Sequence, residues 1–337
     1  MRALIEAAAA GDESAFASLA EQHRRELHVH CYRMLGSLEE SEDVVQETYL
    51  RAWRGRASFG TDGRWSFRAW LYRIATNACL DVLDKTPRRL LASQVGHPAE
   101  EPPFPPHPPV DVPWLEPYPD RLLAPTDDQP DEVVATRETI EIAFLMAIQL
   151  LAPRERAALI LRDVLSWSAK DTAAILETSV AAVNSALQRG RATLRRQLPR
   201  RRDDWAASDP TEQERAVLQR FMDAFERADT AAVAELLRDD VYANMPPYPG
   251  WHDGRATIMA AIAMAFDPDS EHYIGEWRAV PTGLNLQPAA AFYVRRPGDT
   301  EFRAFAVEVL TIEDGQITAL TAFSADLFEA LGLPATL

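Results

Sequence analysis

Long apolar runs and cysteines are both scarce in this sequence of 337 residues. The longest apolar stretch, from Ile258 to Phe266, is too short to cross a bilayer as a helix. The first residues reach Glu6 without the apolar segment of a secretory signal. The two cysteines, Cys31 and Cys79, belong to no C-x-x-C pair, which excludes a disulfide framework. We therefore expect a cytoplasmic protein with no membrane partner.

The net charge is −16, but it is unevenly distributed. Residues 95–132 carry nine acids and one base, residues 151–202 carry eleven bases and four acids, and residues 211–337 carry nine bases and twenty acids. This balance excludes binding of nucleic acid by the whole surface, but it leaves a local basic patch between two acidic regions. A hydrophobic content of 47% is that of a globular protein rather than a disordered or collagen-like chain.

Proline divides the chain, because 13 of its 24 prolines fall between Pro87 and Pro130. Proline fixes φ and lacks a backbone donor, so this stretch predicts an extended linker without a helix or a central strand. The predicted domains are an all-α unit at 1–86, an acidic linker at 87–132, an all-α unit at 133–202 and an α+β unit with a curved antiparallel sheet at 211–337.

Apolar spacing predicts the elements within these domains. The predicted helices are 13–35, 39–55 and 65–84 in the first domain, and 211–228, 230–238 and 255–266 in the last. The predicted strands are 273–280, 289–295, 302–312 and 317–323. Asp314-Gly315 between two apolar runs predicts a hairpin turn.

The basic patch predicts a helix-turn-helix. Pro153 suits the first turn of a helix, Ser168 with Asp171 caps a second, and Ser179 caps a third. The third helix presents amide, hydroxyl and guanidinium side chains: Asn184, Ser185, Gln188, Arg189, Arg191 and Arg195. Such side chains bind base edges and phosphates in the major groove. A solvated three-helix bundle with a basic end is the alternative.

Two long motifs, DVVQETYLRAW at 43–53 and FRAWLYRIATN at 67–77, resemble region 2 of the extracytoplasmic-function (ECF) sigma factors of bacterial RNA polymerase. Residues 150–195 resemble region 4 of the same family. With WLEPYPD in the linker and a diffuse resemblance of 211–337 to the SnoaL-like cone fold, the organisation resembles the SigG-type subgroup. The resemblance implies an alternative sigma factor that initiates transcription at specific promoters, regulated in cis by the SnoaL-like domain.

The resemblance also implies roles for individual residues. Core polymerase would be bound by Asp43, Gln46, Glu47 and Trp53, and the minus-ten element by Arg64, Phe67, Arg68, Trp70, Tyr72, Arg73 and Asn77. The minus-35 element would be bound by the six side chains of the third helix. Aromatic faces stack on unpaired bases and arginines hold phosphates, which fits the second set. Trp53 is equally consistent with a core position, and the spacing of Trp70 with Leu71 and Ile74 favours one.

Some positions depart from the family pattern or allow a second interpretation. Asn184 and Ala186 stand where the family often has basic residues, and Glu177 replaces a frequent turn glycine. In the family the linker follows the RNA exit path, and its charge of −8 would let it mimic RNA; an inert spacer is the alternative.

The C-terminal domain offers a candidate pocket formed by Met245, Trp251, His252, Trp277, Phe292 and Phe305, each of which could equally be core. Its titratable candidates, His252, Asp253 and His272, have no spacing that indicates a reaction. We therefore expect no enzyme activity, no cofactor and no metal, although His28, His30 and Cys31 are close in sequence.

The expected partners are core RNA polymerase, promoter DNA, an intramolecular contact between the C-terminal and sigma domains, and a candidate small-molecule ligand. Two other functions remain: a ligand-gated helix-turn-helix repressor, or a SnoaL-like cyclase or hydrolase with a DNA-binding N-terminal part. Neither requires the block at 43–77, which therefore discriminates between them and a sigma factor.

Overall fold

The computed structural model describes residues 2–59, 66–86, 88–94, 98, 112–123, 140–197 and 209–337. These residues belong to two compact units. The first unit combines Met1–Arg89 with Leu122–Ala207, and the second combines Leu90–Arg121 with Ser208–Leu337. No helix in the described part of the chain is both long and apolar enough to span a membrane.

The described residues of the first unit form helices joined by turns and loops. Its N-terminal part contains α1 (Arg2–Ala10), α2 (Glu13–Glu21), α3 (Arg24–Leu35), α4 (Leu38–Gly55) and α5 (Phe67–Leu83). Side-chain caps set several boundaries, since Ser37 Oγ accepts from the Glu40 amide at 3.3 Å and Ser66 Oγ accepts from the Ala69 amide at 3.1 Å. Gly36 ends α3 with a left-handed φ of 74°.

The predicted helix 13–35 is two helices, because the chain turns at Gln22 and His23. The apolar spacing continues through this break, so periodicity alone does not reveal it. The helix α1 was not predicted. It is separated from α2 by Gly11, whose φ is 102°, and by Asp12, which caps α2.

The second helical segment of this unit contains α6 (Ile142–Gln149), α7 (Pro153–Leu159), α8 (Ala169–Ile175) and α9 (Val180–Gln197). A π-helical turn, Ile160–Val164, extends α7. The predicted caps are confirmed, since Ser168 Oγ accepts from the Asp171 amide at 3.0 Å and Ser179 Oγ accepts from the Ala182 amide at 3.1 Å.

The second unit contains a six-stranded sheet with the order β2-β1-β6-β5-β4-β3. The strands are β1 (Leu237–Asn244), β2 (Trp251–Asp253), β3 (Glu276–Leu284), β4 (Gln287–Arg295), β5 (Arg303–Glu313) and β6 (Gln316–Ser324). Asp314 and Gly315 form the β5–β6 hairpin turn with positive φ values, as predicted.

The sheet is mixed rather than antiparallel throughout. Neighbouring strands pair antiparallel except β1 and β6, which run parallel. The strand β1 was not predicted, because its charged sequence LRDDVYAN lacks simple alternation and its partner β6 lies about eighty residues further along the chain.

Helices cover one face of this sheet. They are α10 (Glu212–Glu226), α11 (Thr230–Leu236) and α12 (Arg255–Phe266). A short helix, α13 (Phe328–Leu331), follows β6, and the ring of Phe328 lies 5.4 Å from that of Tyr293. Thr211 and Glu214 form a reciprocal capping box at the start of α10. The core between helices and sheet is built around Phe221, Phe225 and Phe292.

Candidate nucleic-acid interface and ligand cavity

The helix α4 presents three of the residues predicted to bind polymerase. Asp43 and Gln46 are exposed, and Glu47 is half-buried in an ion pair with Arg51 at 2.7 Å. Arg51 also contacts Asp81 of α5 at 3.0 Å. Residues three and four positions apart share a helix face, so these side chains form one polar surface.

Leu50 belongs to the same face, although sequence reasoning did not select it. Its exposed fraction is 50%, and it lies four residues after Gln46. The sequence could have indicated Leu50, because it is an apolar residue on an otherwise polar helix face. Trp53, which was selected, is half-buried with its ring 5.2 Å from that of Phe16, and the Arg56 guanidinium lies 4.0 Å from its ring centre. Trp53 is therefore partly a packing residue.

The aromatic side chains predicted to contact the minus-ten element are buried. Phe67 and Trp70 pack with Phe59, whose ring centre is 5.4 Å from Phe67 and 4.9 Å from Trp70. Tyr72 is fully enclosed. In this arrangement the three rings pack the domain rather than face solvent, which favours the core interpretation for Trp70. Arg64 lies outside the described residues, and Asn77 is half-buried.

Glu26 organises the polar groups of α5. Its Oε2 accepts from Arg68 Nε at 2.7 Å and from the Tyr72 hydroxyl at 3.1 Å. Burial opposes ionisation of Glu26, but hydrogen bonds from His23 and Arg68 outweigh that effect and lower its pKa. A buried, ionised Glu26 thus fixes the orientation of Arg68 and Tyr72.

The second helical segment packs directly on this face of α5. The Trp167 ring lies 5.4 Å from the Tyr72 ring, and the Arg68 guanidinium lies 5.2 Å from the Trp167 ring centre. Arg73 forms an ion pair with Glu177, the residue with a φ of 51° in the turn before α9. Three of the predicted minus-ten residues are thereby engaged within the protein.

Arg156 is the buried polar centre of this contact. Its side chain is fully enclosed and donates to the carbonyl oxygen of Met34 at the end of α3. It also donates to the carbonyl oxygens of Ile148 at 3.0 Å and Gln149 at 2.8 Å. Burial lowers the pKa of Arg156 to about 9. One guanidinium therefore joins the two helical segments.

The helix α9 exposes all six predicted DNA-binding side chains, while Val183, Leu187 and Leu194 are buried. Two of its arginines are paired with acids: Arg189 with Glu155 at 2.6 Å and Arg191 with Asp163 at 2.8 and 2.6 Å. Exposed pairs of this kind are weak, so phosphates can replace the acids. Helix, turn and polar recognition helix have the geometry that enters a major groove.

Part of the linker, residues 90–94 and 112–121, forms a strap on the second unit. Tyr118 and Asn285 exchange two hydrogen bonds, of 2.9 and 2.8 Å, and the Leu286 amide donates to Asp120 at 2.8 Å. The Ser93 amide donates to Asn244 Oδ1 at 2.8 Å. Because the WLEPYPD motif is bound here, this arrangement does not present it to RNA.

The second unit contains a cavity of about 610 Å³ between the sheet and α12. Of the six residues that the sequence offered as a pocket, Met245, His252, Trp277 and Phe305 line this cavity. Phe292 instead packs in the core with its ring 4.9 Å from that of Phe225, and Trp251 is not among the lining residues. Neither Asn244 nor Glu308, which also line the cavity, was selected from the sequence.

Four polar atoms around this cavity are buried without a hydrogen-bond partner among the described residues. They are Asn244 Nδ2, His252 Nδ1, Trp277 Nε1 and Glu308 Oε2. Glu308 is half-buried by accessible surface, yet its Oε2 is enclosed, and desolvation raises the pKa of its carboxyl group to about 7. Burial also lowers the pKa of His252.

These features define a multidomain DNA-binding protein: two helical segments, one with a recognition helix, and a cone-like α+β domain enclosing a cavity. Family comparisons match the chain in the same order. Sigma-70 region 2 matches residues 19–89, Sigma-70 region 4 matches residues 141–194, and a SnoaL-like domain matches residues 218–320.

The relatives agree with this organisation. The chain is 40% identical over 326 residues to the ECF RNA polymerase sigma factor SigG of Mycobacterium tuberculosis, covering 96% of this chain and 85% of that protein. It is 26% identical over 311 residues to SigJ of the same species, covering 89% and 88%. The crystal structure of that SigJ shares the fold, with a TM-score of 0.58 and 21% identity over 95% of this chain and 99% of the other. The chain belongs to the ECF family of RNA polymerase sigma factors.

Proposed function

We propose that this chain binds core RNA polymerase in the cytoplasm and directs it to specific promoters, without catalytic chemistry of its own. The observation that carries the proposal is the ordered match to regions 2 and 4 together with a recognition helix whose six polar side chains are exposed. The polar face of α4, extended by Leu50, would bind polymerase. The helix α9 would bind the minus-35 element.

The repressor and cyclase alternatives leave the region 2 segment without a role. A repressor needs only the helix-turn-helix, and an enzyme needs only the cavity. Asp43, Gln46 and Leu50 are exposed on α4, which is not the recognition helix. This exposed surface supports binding of a protein partner.

The contact between the two helical segments represents a closed state in this proposal. The names of the minus-35 and minus-ten elements are their positions in base pairs, so the two elements lie about 25 base pairs apart, which is roughly 85 Å of duplex. The helices α5 and α9 cannot bind both elements while Trp167 remains 5.4 Å from Tyr72. Promoter binding therefore requires the segments to separate, which also releases Arg73 from Glu177.

The C-terminal domain would regulate this opening through the linker. The strap is part of the only covalent connection between region 2 and region 4, and the second unit holds it through Tyr118, Asp120 and Ser93. Holding the strap shortens the connection, and releasing it lengthens the connection. Direct contact of the C-terminal domain with the sigma domains stays a prediction.

Transcription in vitro tests the function. We expect the purified full chain, added to core polymerase and promoter DNA selected from a random library, to produce a discrete run-off transcript. Gln188→Ala should lower the transcript from promoters with the intact minus-35 sequence, since a good base contact contributes about 1 to 3 kcal/mol. Gln219→Ala, at an exposed position of α10, is the matched control. A transcript no greater than that of core polymerase alone would rule out the sigma-factor function.

A second variant tests the closed state. Trp167→Ala removes the ring that packs on Tyr72 and lies beneath Arg68. Losing an aromatic pair and a cation–π contact costs the closed state about 1 to 2 kcal/mol, which raises the open population roughly five- to thirty-fold. Trp167→Phe keeps a ring and should behave like the parent chain. Equal transcription by all three proteins would contradict a closed state held by this contact.

A further inference from the structure

The first turn of α9 exposes three apolar side chains in a row. Val180, Ala181 and Ala182 are all exposed, and Val180 keeps 42% of its surface accessible. The next residue, Val183, is 1% exposed and belongs to the core. A single exposed apolar residue is ordinary on a protein surface, but a run of three is unfavourable unless the run has a function.

The position of this run on the recognition helix brings it to the bases of DNA. Ser179 caps α9 by accepting a 3.1 Å hydrogen bond from the Ala182 amide, and Val180 is the first helical residue. In a helix-turn-helix the N-terminal residues of the recognition helix contact base edges in the major groove. Val180 therefore belongs to the part of α9 that meets base edges.

Val180 shares a side of α9 with two of the predicted DNA-binding residues. Asn184 follows it by four residues and Gln188 by eight, and both are exposed. Residues spaced by four lie one above the other on a helix face. Four residues of helix rise about 6 Å, and successive base pairs are about 3.4 Å apart. The base met by Val180 thus lies one or two base pairs from the base met by Asn184.

The chemistry of valine leaves one partner in the major groove. An isopropyl group neither donates nor accepts a hydrogen bond, so it cannot bind a phosphate or the polar atoms of a base edge. The apolar group on the major-groove edges of the four standard bases is the C5-methyl of thymine. The polar atoms of another base would lose water against the valine without gaining a partner, which disfavours that base.

We propose that Val180 specifies a thymine in the minus-35 element by packing its two methyl groups against the C5-methyl of that base. This role rests on the proposed function, because it deepens the assignment of α9 to the minus-35 element. Ala181 and Ala182 are small, so the first turn can approach the base edges closely. Val180 adds an apolar contact to the six polar side chains of the same helix.

Promoter selection by the polymerase holoenzyme tests the position of the contact. The full chain is bound to core polymerase, and promoters are selected from a library with a randomised minus-35 element. We expect a thymine one or two base pairs from the position whose preference is lost in Asn184→Ala. Val180→Ala should relax the preference for this thymine alone, and alanine favours a helix more than valine does, so α9 should still form. Val180→Ile keeps a branched apolar side chain and should retain the preference.

Removal of one methyl group from the DNA gives a sharper comparison. Deoxyuridine in place of this thymine keeps every hydrogen-bonding atom but lacks the C5-methyl. The parent holoenzyme should bind the unmodified promoter about fourfold more tightly than the deoxyuridine promoter, which is the effect of burying one methyl group. Val180→Ala should bind the two promoters almost equally. Deoxyuridine at a thymine upstream of the minus-35 element is the control and should change nothing.

Three results would overturn the role of Val180. They are selection of a base other than thymine at this position, equal affinity of the parent holoenzyme for the two promoters, and an undiminished fourfold preference in Val180→Ala. A parent holoenzyme that gives no promoter-specific transcript would overturn the proposed function as well. A discrete transcript from promoters without the thymine preference would overturn the role of Val180 alone.

Discussion

Replacing Glu308 with Gln should change the pH dependence of the second unit in a defined direction. The pKa of Glu308 is raised from 4.5 to about 7 because burial disfavours its ionised form. The folded state therefore binds the proton more tightly than the unfolded state. Its contribution to stability is complete below pH 4.5, declines as the pH rises, and is lost once the pH passes the folded pKa.

The size of the effect follows from the shift. One pKa unit corresponds to about 1.4 kcal/mol, so the full penalty for ionising Glu308 is about 3 kcal/mol. Between pH 5 and pH 8 the parent chain should lose about 2.5 kcal/mol that Glu308→Gln does not lose. The glutamine keeps the shape of the side chain and cannot ionise. Desolvation by burial causes this shift. The other titratable or charged side chains around the cavity are Tyr248, His252, Glu271, His272, Tyr273 and Arg296.

Hydrogen exchange read by mass spectrometry on peptides from β4 to β6 isolates the second unit. Parent and variant are compared at equal pH at several values from 5 to 8, which cancels the intrinsic exchange rate. Glu301→Gln, an exposed substitution just before β5, is the control and should leave the difference flat. If Glu308→Gln shows a constant offset across this range, or is the less stable protein at pH 8, burial of an unpaired carboxyl is the wrong account of this residue.

Three further substitutions probe the contacts described above. Arg156→Met should destabilise the first unit by about 3 kcal/mol in urea unfolding, because buried carbonyl oxygens lose their donor; an unchanged midpoint would contradict its central role. Tyr118→Ala should expose the strap to limited proteolysis while the sheet stays protected, since an enclosed aromatic ring is lost; simultaneous cleavage of both would count against a separable strap. Glu26→Gln should reduce the acid sensitivity of the first unit. The pKa of Glu26 is lowered in the folded state, so its stabilisation is present above pH 4.5 and is lost as the pH falls through the folded pKa. Identical acid unfolding of both proteins would refute this.

The helix-turn-helix could be predicted from the sequence because its signals are local. Ser168 and Ser179 each accept a hydrogen bond from the amide three residues further along the chain, and the turn residues lie between these two caps. The buried and exposed positions of α9 mostly followed from helical spacing. Val180 is the exception: its spacing of three residues from Val183 predicts that it is buried, yet 42% of it is exposed at the first turn of the helix.

The ligand cavity was only partly predictable, because both faces of β5 are buried. Phe305 was selected from the sequence, whereas Ala306 and Glu308, which also line the cavity, were not. When apolar residues occupy both faces, periodicity does not identify the face that meets the helices. The informative residue was the single acid in FAVEVLTI, since a charged residue in a doubly buried strand requires a reason.

The strap was unpredictable for a different reason. Composition argues against a helix or a central strand in the linker, but it carries no information on partners far along the chain, such as Asn285 in the turn between β3 and β4. The strap lies within a segment of 32 residues, from Leu90 to Arg121, that belongs to the second unit. Fully extended, such a length reaches roughly 105 Å, which exceeds the roughly 85 Å between promoter elements. In the proposed function, this proline-rich segment therefore keeps regions 2 and 4 together while the strap is bound and lets them separate over a promoter when the strap is released.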